Sequence, residues 1–294
     1  MPTSGVLPDL AAPAPLPRPV AASASTPAAP DMTGSLTIRN PLLQGPASRN
    51  AAPPPAPALQ QPAHDLNREA LPATIGGKAL LAAAVAGEPG ASYEVAVRFA
   101  EGRNVPQDLA QAAAWFDHAA RSGLAPAQFR LGSMYEKGLG VKKDLQEARR
   151  LYLAATDKGN AKAMHNLAVL YAEGLEGKPD YAVASQWFRK AAAYGVVDSQ
   201  YNLAILYARG VGIERNIAES YKWFALAAKG GDKDAAKKRD EIAARLDPSQ
   251  LESAKQAAES SVPEQQPDEA TSTKAPPGGW DQVVAAAPTK GRAR

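Results

Sequence analysis

Small and apolar residues recur at regular positions through the middle of the chain, with a period of 36 residues. In one period, residues 127–162, two sets of apolar residues have the spacing of a single helical face: Ala127, Leu131, Met134 and Tyr135, then Ala148, Leu151, Tyr152 and Ala155. This spacing predicts two amphipathic helices in each period. Because helices of this length are marginal in isolation, they must pack on each other and on the neighbouring period.

Four copies of the pattern stand in register. The glycine predicted to end the first helix recurs as Gly102, Gly138, Gly174 and Gly210. The predicted N-cap of the second helix recurs as Asp108, Asp144, Asp180 and Asn216, and a tryptophan of that helix recurs as Trp115, Trp187 and Trp223. A fixed period of this length is typical of stacked supersecondary units. The sequence therefore predicts an all-α fold, a right-handed α-solenoid of helix–turn–helix repeats.

These recurring residues have structural explanations. A glycine just past a helix end takes the left-handed conformation at little cost. An aspartate or asparagine at an N-cap accepts hydrogen bonds from the first turn, and Glu147 follows Asp144 at the spacing of a capping box. The period of the tryptophans matches that of the core positions. We therefore interpret them as core residues rather than as a ligand-binding set.

The ends of the chain have a different composition from the repeats. Fifteen of the 26 prolines lie in residues 1–63, and no aromatic residue does, so this segment lacks the apolar surface that offsets ordering entropy. The predicted organisation is a Pro/Ala-rich disordered arm, 1–71; an N-terminal capping helix, 72–90; repeats one to four, 91–126, 127–162, 163–198 and 199–234; C-terminal capping helices, 235–258; and a disordered tail, 259–294.

Composition and charge argue against several classes of function. The formal net charge is +3 and the charges are interspersed, whereas nucleic-acid-binding proteins usually concentrate basic residues on one face. There is no cysteine, so neither a disulfide framework nor a thiolate metal site is expected. The sequence contains no stretch that predicts a membrane-spanning helix or a secretory signal. We expect no nucleic-acid partner and no membrane segment in this chain.

The repeat resembles the Sel1-like repeats, which are relatives of tetratricopeptide repeats. Residues 127–159 carry the pattern, with the matching positions Ala127, Leu131, Gly132, Tyr135, Gly138, Gly140, Val141, Asp144 and Gly159. Asn104 and Glu176 replace the second glycine of the turn in repeats one and three, and Leu151 replaces the tryptophan in repeat two. The resemblance covers about residues 72–246 and implies a binding scaffold rather than an enzyme.

Three stretches resemble a narrower family, that of the alphaproteobacterial polar localisation factor PodJ. They are residues 93–102, residues 160–174 and residues 275–281, the last reading Ala-Pro-Pro-Gly-Gly-Trp-Asp. In that family the repeats lie in a periplasmic part, after a coiled coil and one membrane helix. The resemblance implies a role in marking a cell pole and recruiting other components. It leaves open whether the chain is a shortened relative or a C-terminal portion, and hence its compartment.

The sequence contains no recognisable catalytic or metal-binding pattern. Its three histidines, His64, His118 and His165, have no partner at metal-ligand spacing. The Gly-x-Gly pairs are helix-ending turns, because no strand precedes them. We therefore expect no enzyme activity, no catalytic residues, no cofactor and no metal.

The better candidates lie on the first helix of each repeat, which lines the concave face in related solenoids. Three rows of residues point away from the second helix. The third position carries Tyr93, Phe129, His165 and Tyr201; the seventh carries Val97, Ser133, Val169 and Ile205; the eleventh carries Glu101, Lys137, Glu173 and Arg209. Asn166 and Asn202, at position four, are placed to hydrogen-bond a peptide backbone. Such rows suit an extended peptide or a helix, although the rings could instead pack against the neighbouring repeat.

The sequence thus favours a non-enzymatic scaffold that binds a protein partner on the concave face. Its biological setting, polar localisation and recruitment, is implied only by the second resemblance. The alternative is a periplasmic module that binds peptidoglycan or polysaccharide, because exposed aromatic rings can stack on sugars.

Overall fold

The structure is a computed structural model that describes residues 38–39, 71–175 and 177–281. Throughout these residues the regular structure is helical, and no strand occurs among them. The arrangement confirms the predicted fold class, a right-handed α-solenoid of helix–turn–helix repeats. Most of the predicted N-terminal arm, residue Glu176 and residues 282–294 lie outside the described residues.

The described helices follow one another in a simple order. After a short 3₁₀ turn, Ala73–Ile75, they are α1 Lys78–Val85, α2 Pro89–Glu101, α3 Leu109–Arg121, α4 Ala125–Lys137, α5 Leu145–Thr156, α6 Ala161–Glu173, α7 Tyr181–Ala193, α8 Val197–Arg209, α9 Ile217–Lys229, α10 Lys233–Ala243, α11 Pro248–Glu259 and α12 Asp268–Thr271. The helices α2 to α9 form four pairs. Each first helix packs on the second helix of its own repeat, and each second helix packs on the first helix of the next.

The two helices of a repeat are tied together at the N-cap of the second. The side chains of all four predicted cap residues accept hydrogen bonds from backbone amides of the first turn. Their own amides donate to a carbonyl near the end of the first helix, as from Asp144 to Tyr135 at 3.0 Å. In a capping box this amide would instead bond the side chain of Glu147, which here pairs with Arg150. The turn therefore has the caps but does not close as a capping box.

Neighbouring repeats approach closely at the second glycine of the turn. Gly140 has a φ of 69° and lies on the backbone of Leu109 at the start of α3, so that a Cβ would overlap the Leu109 carbonyl. Gly212 repeats this contact against Tyr181, two repeats later. Asn104 holds the equivalent place in repeat one with a φ of 63°, a conformation that asparagine tolerates better than most residues.

The tryptophans lie in or against the hydrophobic core. Trp115 and Trp223 are buried, with 1% and 8% of their surface exposed, respectively. Trp187 is only partly buried: it packs against the core cluster of repeats two and three, and the ammonium group of Lys190 lies 4.2 Å from its ring centroid. The contacts favour the interpretation of all three as packing residues.

The described part of the C-terminal tail, residues 260–281, lies against the array. The Glu264 amide donates to the Ala193 carbonyl at 2.9 Å, and Asn160 Nδ2 donates to the Ala270 carbonyl at 2.7 Å. Further along, Trp280 is buried in the core cluster that contains the N-terminal helices. The tail thus runs back from repeat three towards repeat one. In this part the structure differs from the predicted disordered tail, because individual backbone and side-chain contacts hold the segment.

Arg98 joins the tail to the N-terminal end of the array. Its guanidinium is almost completely buried and donates to the Ile75 carbonyl at 2.7 Å, to Glu94 at 2.8 Å and to both carboxylate oxygens of Asp281 at 2.8 Å. One side chain therefore links three segments that are distant in sequence.

We predict that Gly140→Ala destabilises the fold more than Gly123→Ala does. Both glycines have positive φ, but nothing lies within 4 Å of the Cβ position at Gly123. The control, Gly123→Ala, should lower the free energy of unfolding by about 1–2 kcal/mol, from backbone strain alone. Overlap with Leu109 should raise the loss at Gly140 to about 3 kcal/mol or more. Urea denaturation followed by circular dichroism measures both, and equal losses would contradict the close contact between repeats.

A second prediction concerns Arg98. Arg98→Ala should lower the free energy of unfolding by about 3 kcal/mol, because it leaves the buried Ile75 carbonyl and the partly buried Glu94 carboxylate without their donor and removes a buried side chain. Asp281→Asn should lower it by less than about 1 kcal/mol, because the Asp281 side chain is 68% exposed. Thermal and urea unfolding of the two variants test this ranking. If the two variants lose the same stability, the three-way link at Arg98 is wrong.

Candidate partner-binding surface

The third-position rings each pack against the second helix of their own repeat. The ring centroids of Tyr93 and Phe116 are 5.4 Å apart, and those of Tyr201 and Phe224 are also 5.4 Å apart, both edge to face. Phe129 with Tyr152 and His165 with Phe188 complete the set at 6.1 and 5.7 Å. The rings therefore pack within their own repeat, and two of them also contact the next one: His165 Nδ1 lies 2.7 Å from Ser199 Oγ, and Phe129 packs against a core cluster that includes residues of repeat three. Three of them keep part of their surface exposed, and His165 is buried.

The seventh-position row contributes little accessible surface. Val97, Val169 and Ile205 are buried, with 8%, 0% and 6% exposed, and Ser133 is partly buried. Their proposed role as partner-binding residues is therefore not supported by their exposure. The reason is that the three apolar side chains belong to the core, where their burial stabilises the fold.

The eleventh-position row lies closer to the surface. Glu101, Lys137 and Glu173 are exposed, and Arg209 is partly buried. Glu101 forms an ion pair with Arg103 at 2.5 Å. Three of the four charged side chains predicted for this row are therefore exposed, and each member of the row is the last residue of its helix. We refer to the surface formed by the three rows and position four as the first-helix face.

A pocket of about 530 Å³ lies between the first-helix face and the C-terminal tail. We call it the tail pocket. First-helix residues form one wall and include Tyr93, Phe129, His165 and Asn166, and the tail forms the other with Gln266 and Thr271. The exposed cations Arg130 and Lys162 lie at its lining. The pocket therefore combines partly exposed rings with polar and charged groups.

Two polar side chains that line this pocket contact polar groups in the interior of the fold. His165 Nδ1 lies 2.7 Å from Ser199 Oγ, whereas His165 Nε2 has no hydrogen-bond partner among the described residues. Asn166 Nδ2 donates to the Tyr152 hydroxyl at 2.9 Å, and that hydroxyl donates to Glu136 at 2.5 Å. Asn166 thus takes part in an internal network, and its binding of a peptide backbone stays a prediction.

Burial changes the acid–base behaviour of these groups. It lowers the pKa of His165 to about 4, so the imidazole is neutral near pH 7. Burial also raises the pKa of the Tyr152 phenol, and the neighbouring Glu136 carboxylate raises it further. The pocket therefore presents the neutral imidazole of His165 and the amide of Asn166, with ionisable groups at Arg130, Lys162 and the partly buried Asp198.

The other predicted asparagine, Asn202, binds a segment of the chain itself. Asn202 Oδ1 accepts from the Arg39 amide at 2.9 Å, and Asn202 Nδ2 donates to the Arg39 carbonyl at 3.0 Å. The Arg39 guanidinium lies 3.5 Å from the Tyr201 ring centroid and pairs with Asp232 and Asp234. We call this set, Tyr201, Asn202, Asp232 and Asp234, the Arg39 clamp.

The sequence analysis predicts two of the four clamp residues, Tyr201 and Asn202. Tyr201 and Asn202 were singled out by their place on the first helix, whereas Asp232 and Asp234 lie in the following turn and helix, where acidic residues are ordinary capping residues. Arg39 lies in the predicted disordered arm, 163 residues from Asn202. No periodic signal marks it, because the arm has no repeat.

The described residues show no other obvious chemical site. No group of three or more His, Asp or Glu side chains among them could hold a metal ion. None of the helices in the described ranges has the length and hydropathy needed to cross a bilayer.

Comparison with known proteins identifies the repeats. Four segments match the Sel1 repeat: residues 89–124, 125–160, 161–195 and 197–232. No curated protein matches the chain as a relative.

Two solved structures share the fold over 61% of this chain. One is a protective antigen present in uropathogenic Escherichia coli strains that displays an SLR fold, with 34% identity and a TM-score of 0.54. The match covers 39% of that antigen, so the chain spans well under half of its length. The other is a Sel1 repeat protein from Oxalobacter formigenes, with 26% identity, a TM-score of 0.51 and 76% of that protein covered.

We predict that His165 makes the stability of the fold sensitive to mild acid. Its pKa is about 4 when folded and about 6.5 when unfolded, so between these values the unfolded chain binds more protons. The contribution is present above about pH 6.5 and is lost as the pH falls towards 4. Between pH 7 and pH 5, wild type should lose about 2 kcal/mol more than His165→Phe. Urea unfolding at the two pH values measures this difference, and parallel losses would contradict the assignment.

Proposed function

Residues 89–232 belong to the Sel1 repeat family, and we propose that the chain is a non-enzymatic scaffold that binds a protein partner on its first-helix face. Sel1 repeats generally act as protein-interaction scaffolds. One observation carries the proposal for this chain: the side chain of Asn202 hydrogen-bonds both the amide and the carbonyl of Arg39. That contact is made to the backbone, so a segment of another protein could form it equally well.

The geometry of this contact favours an extended ligand. The amide and carbonyl of one residue point to the same side when the backbone is extended, as in a hydrogen-bonded pair of a sheet. A single asparagine side chain offers one donor and one acceptor to match them. The tail pocket continues this surface towards repeat one, since it is lined both by Val196 and Asp198 at the start of α8 and by Tyr93 of repeat one. A partner segment would therefore have room to run along several repeats.

A photo-crosslinking experiment tests the proposal. A photoreactive amino acid replaces Lys162 at the tail pocket, and in a matched control it replaces Lys142, an exposed lysine in the turn of repeat two. In cells of the source organism, the Lys162 position should give a discrete protein adduct that the Lys142 position does not give. The additional change Arg130→Glu should reduce that adduct several-fold. Identical adduct patterns from both positions would rule out the first-helix face.

We place this scaffold, as a further part of the proposal, in polar localisation and recruitment at the bacterial cell pole. The support is the resemblance of residues 93–102, 160–174 and 275–281 to the polar localisation family. Two residues of the third matching stretch also stabilise the fold, since Trp280 is buried and Asp281 pairs with Arg98. A fluorescent fusion at the native locus should form a focus at one pole, and uniform fluorescence would count against this setting.

A second candidate function is binding of peptidoglycan or another polysaccharide. It is favoured by the partly exposed rings of Tyr93 and Phe129 in the tail pocket, because aromatic rings can stack on sugars. Co-sedimentation with purified sacculi distinguishes the two candidates. A scaffold that binds only proteins stays in the supernatant, whereas a cell-wall module moves to the pellet.

A further inference from the structure

We propose that the Arg39 clamp is an arginine-selective peptide site, and that the N-terminal segment Ile38–Arg39 occupies it in competition with an arginine-bearing segment of a partner. The inference rests on the proposed function, because it specifies what the first-helix face binds at repeat four. It goes further by naming the ligand class, an extended basic peptide, and a regulatory element in the same chain.

The hydrogen bonds from Asn202 to the Arg39 backbone select the conformation of the bound segment but not its sequence. Asn202 is completely buried and uses both polar atoms of its side-chain amide on the backbone of Arg39. If the segment left, this donor and acceptor would lose their partners, which is costly unless water or another peptide replaces them. Asn202 therefore favours an occupied site.

The side-chain half selects arginine. The planar guanidinium of Arg39 stacks on the Tyr201 ring and donates in two directions, to Asp232 and Asp234. Lysine has no planar group to stack in this way and no fork of donors. The Tyr201 ring is fixed edge-on by Phe224, so it is already oriented before a ligand arrives.

Asp232 is likewise held in position before binding. Its Oδ1 accepts the amides of Asp234 and Ala235 at 2.9 Å, which caps the helix α10. Its Oδ2 pairs with Arg39. Because the cap fixes the carboxylate, little side-chain entropy is lost when the guanidinium binds. Asp198 is a further carboxyl group nearby: burial raises its pKa above the usual value, and the positive charge of Arg39 partly opposes that rise.

The clamp occurs at one repeat among those that the structure describes. One period earlier, Val196 stands at the position of Asp232, and His165 stands at the position of Tyr201 and is buried. In the same repeat, Asn166 donates to Tyr152. In repeats two and one the asparagine position is Arg130 and Glu94, respectively. The specific combination of backbone clamp, ring and two carboxylates is therefore confined to repeat four and the helix that follows it.

A segment of the same chain competes strongly because it is tethered. The effective concentration of a tethered ligand reaches the order of millimolar, so a free peptide must exceed such a value or bind more tightly. Removing the Arg39 side chain should therefore open the site to an external peptide without removing any part of the array.

Fluorescence anisotropy with a labelled synthetic peptide of residues 34–43, Gly-Ser-Leu-Thr-Ile-Arg-Asn-Pro-Leu-Leu, tests the inference on the full chain. The variant Arg39→Ala should bind this peptide at least tenfold more tightly than wild type. Adding Asn202→Ala or Asp232→Asn should reverse the gain by at least tenfold. Asp232→Asn retains a residue that can cap α10, so its fold should persist. Circular dichroism checks each variant.

Peptide variants and a control complete the test. A peptide with lysine in place of the arginine should bind Arg39→Ala several-fold more weakly, and one with alanine should show no measurable binding. The charge control Arg39→Ala/Asp157→Asn changes an exposed aspartate in repeat two and should bind like Arg39→Ala alone.

Equal affinity of wild type and Arg39→Ala, or binding that survives Asn202→Ala, overturns the inference. A specific crosslink at Lys162 in that case would leave the scaffold function standing, so the two failures are distinguishable.

Discussion

The docking of the two helices within each repeat is the interaction on which the rest of the structure depends. It has two parts that recur every 36 residues. A ring of the first helix packs against an aromatic residue of the second, and the N-cap amide of the second helix donates to a carbonyl of the first. Helices of 12 or 13 residues gain most of their stability from such packing. Because this pairing fixes the orientation of the two helices, it determines how each second helix packs on the next repeat and which face of each first helix is exposed.

The same pairing prepares the candidate binding surface. The Tyr201 ring is anchored at one edge by Phe224, so its face is available to the Arg39 guanidinium. Asn202 and the capped carboxylate of Asp232 are also held in place by the helices that carry them. The chain thus uses structural contacts of the repeat to orient the groups that bind a segment. Such an arrangement is consistent with a scaffold, in which rigid helices present side chains to an extended ligand.

The array could be predicted from the sequence in some detail, because its contacts are local and periodic. The N-caps and the glycine turns follow from residues within one repeat, and even Asn202 was found by its register. The tail and the Arg39 contact could not be predicted, since the arms have no period and reach the array across more than a hundred residues. The burial of Val97 and Val169 was also missed. A helical wheel gives the direction of a side chain but not the depth of the packing around it.

Binding of an extended segment through Asn202 places the Arg39 amide in a hydrogen bond to the Asn202 side chain. The most direct measurement is residue-resolved amide hydrogen exchange at Arg39 in the full chain. We expect the Arg39 amide to exchange clearly more slowly than an unstructured amide, and we expect Asn202→Ala to abolish this protection. If the Arg39 amide of the wild type exchanges at the unstructured rate, Asn202 does not hold the segment.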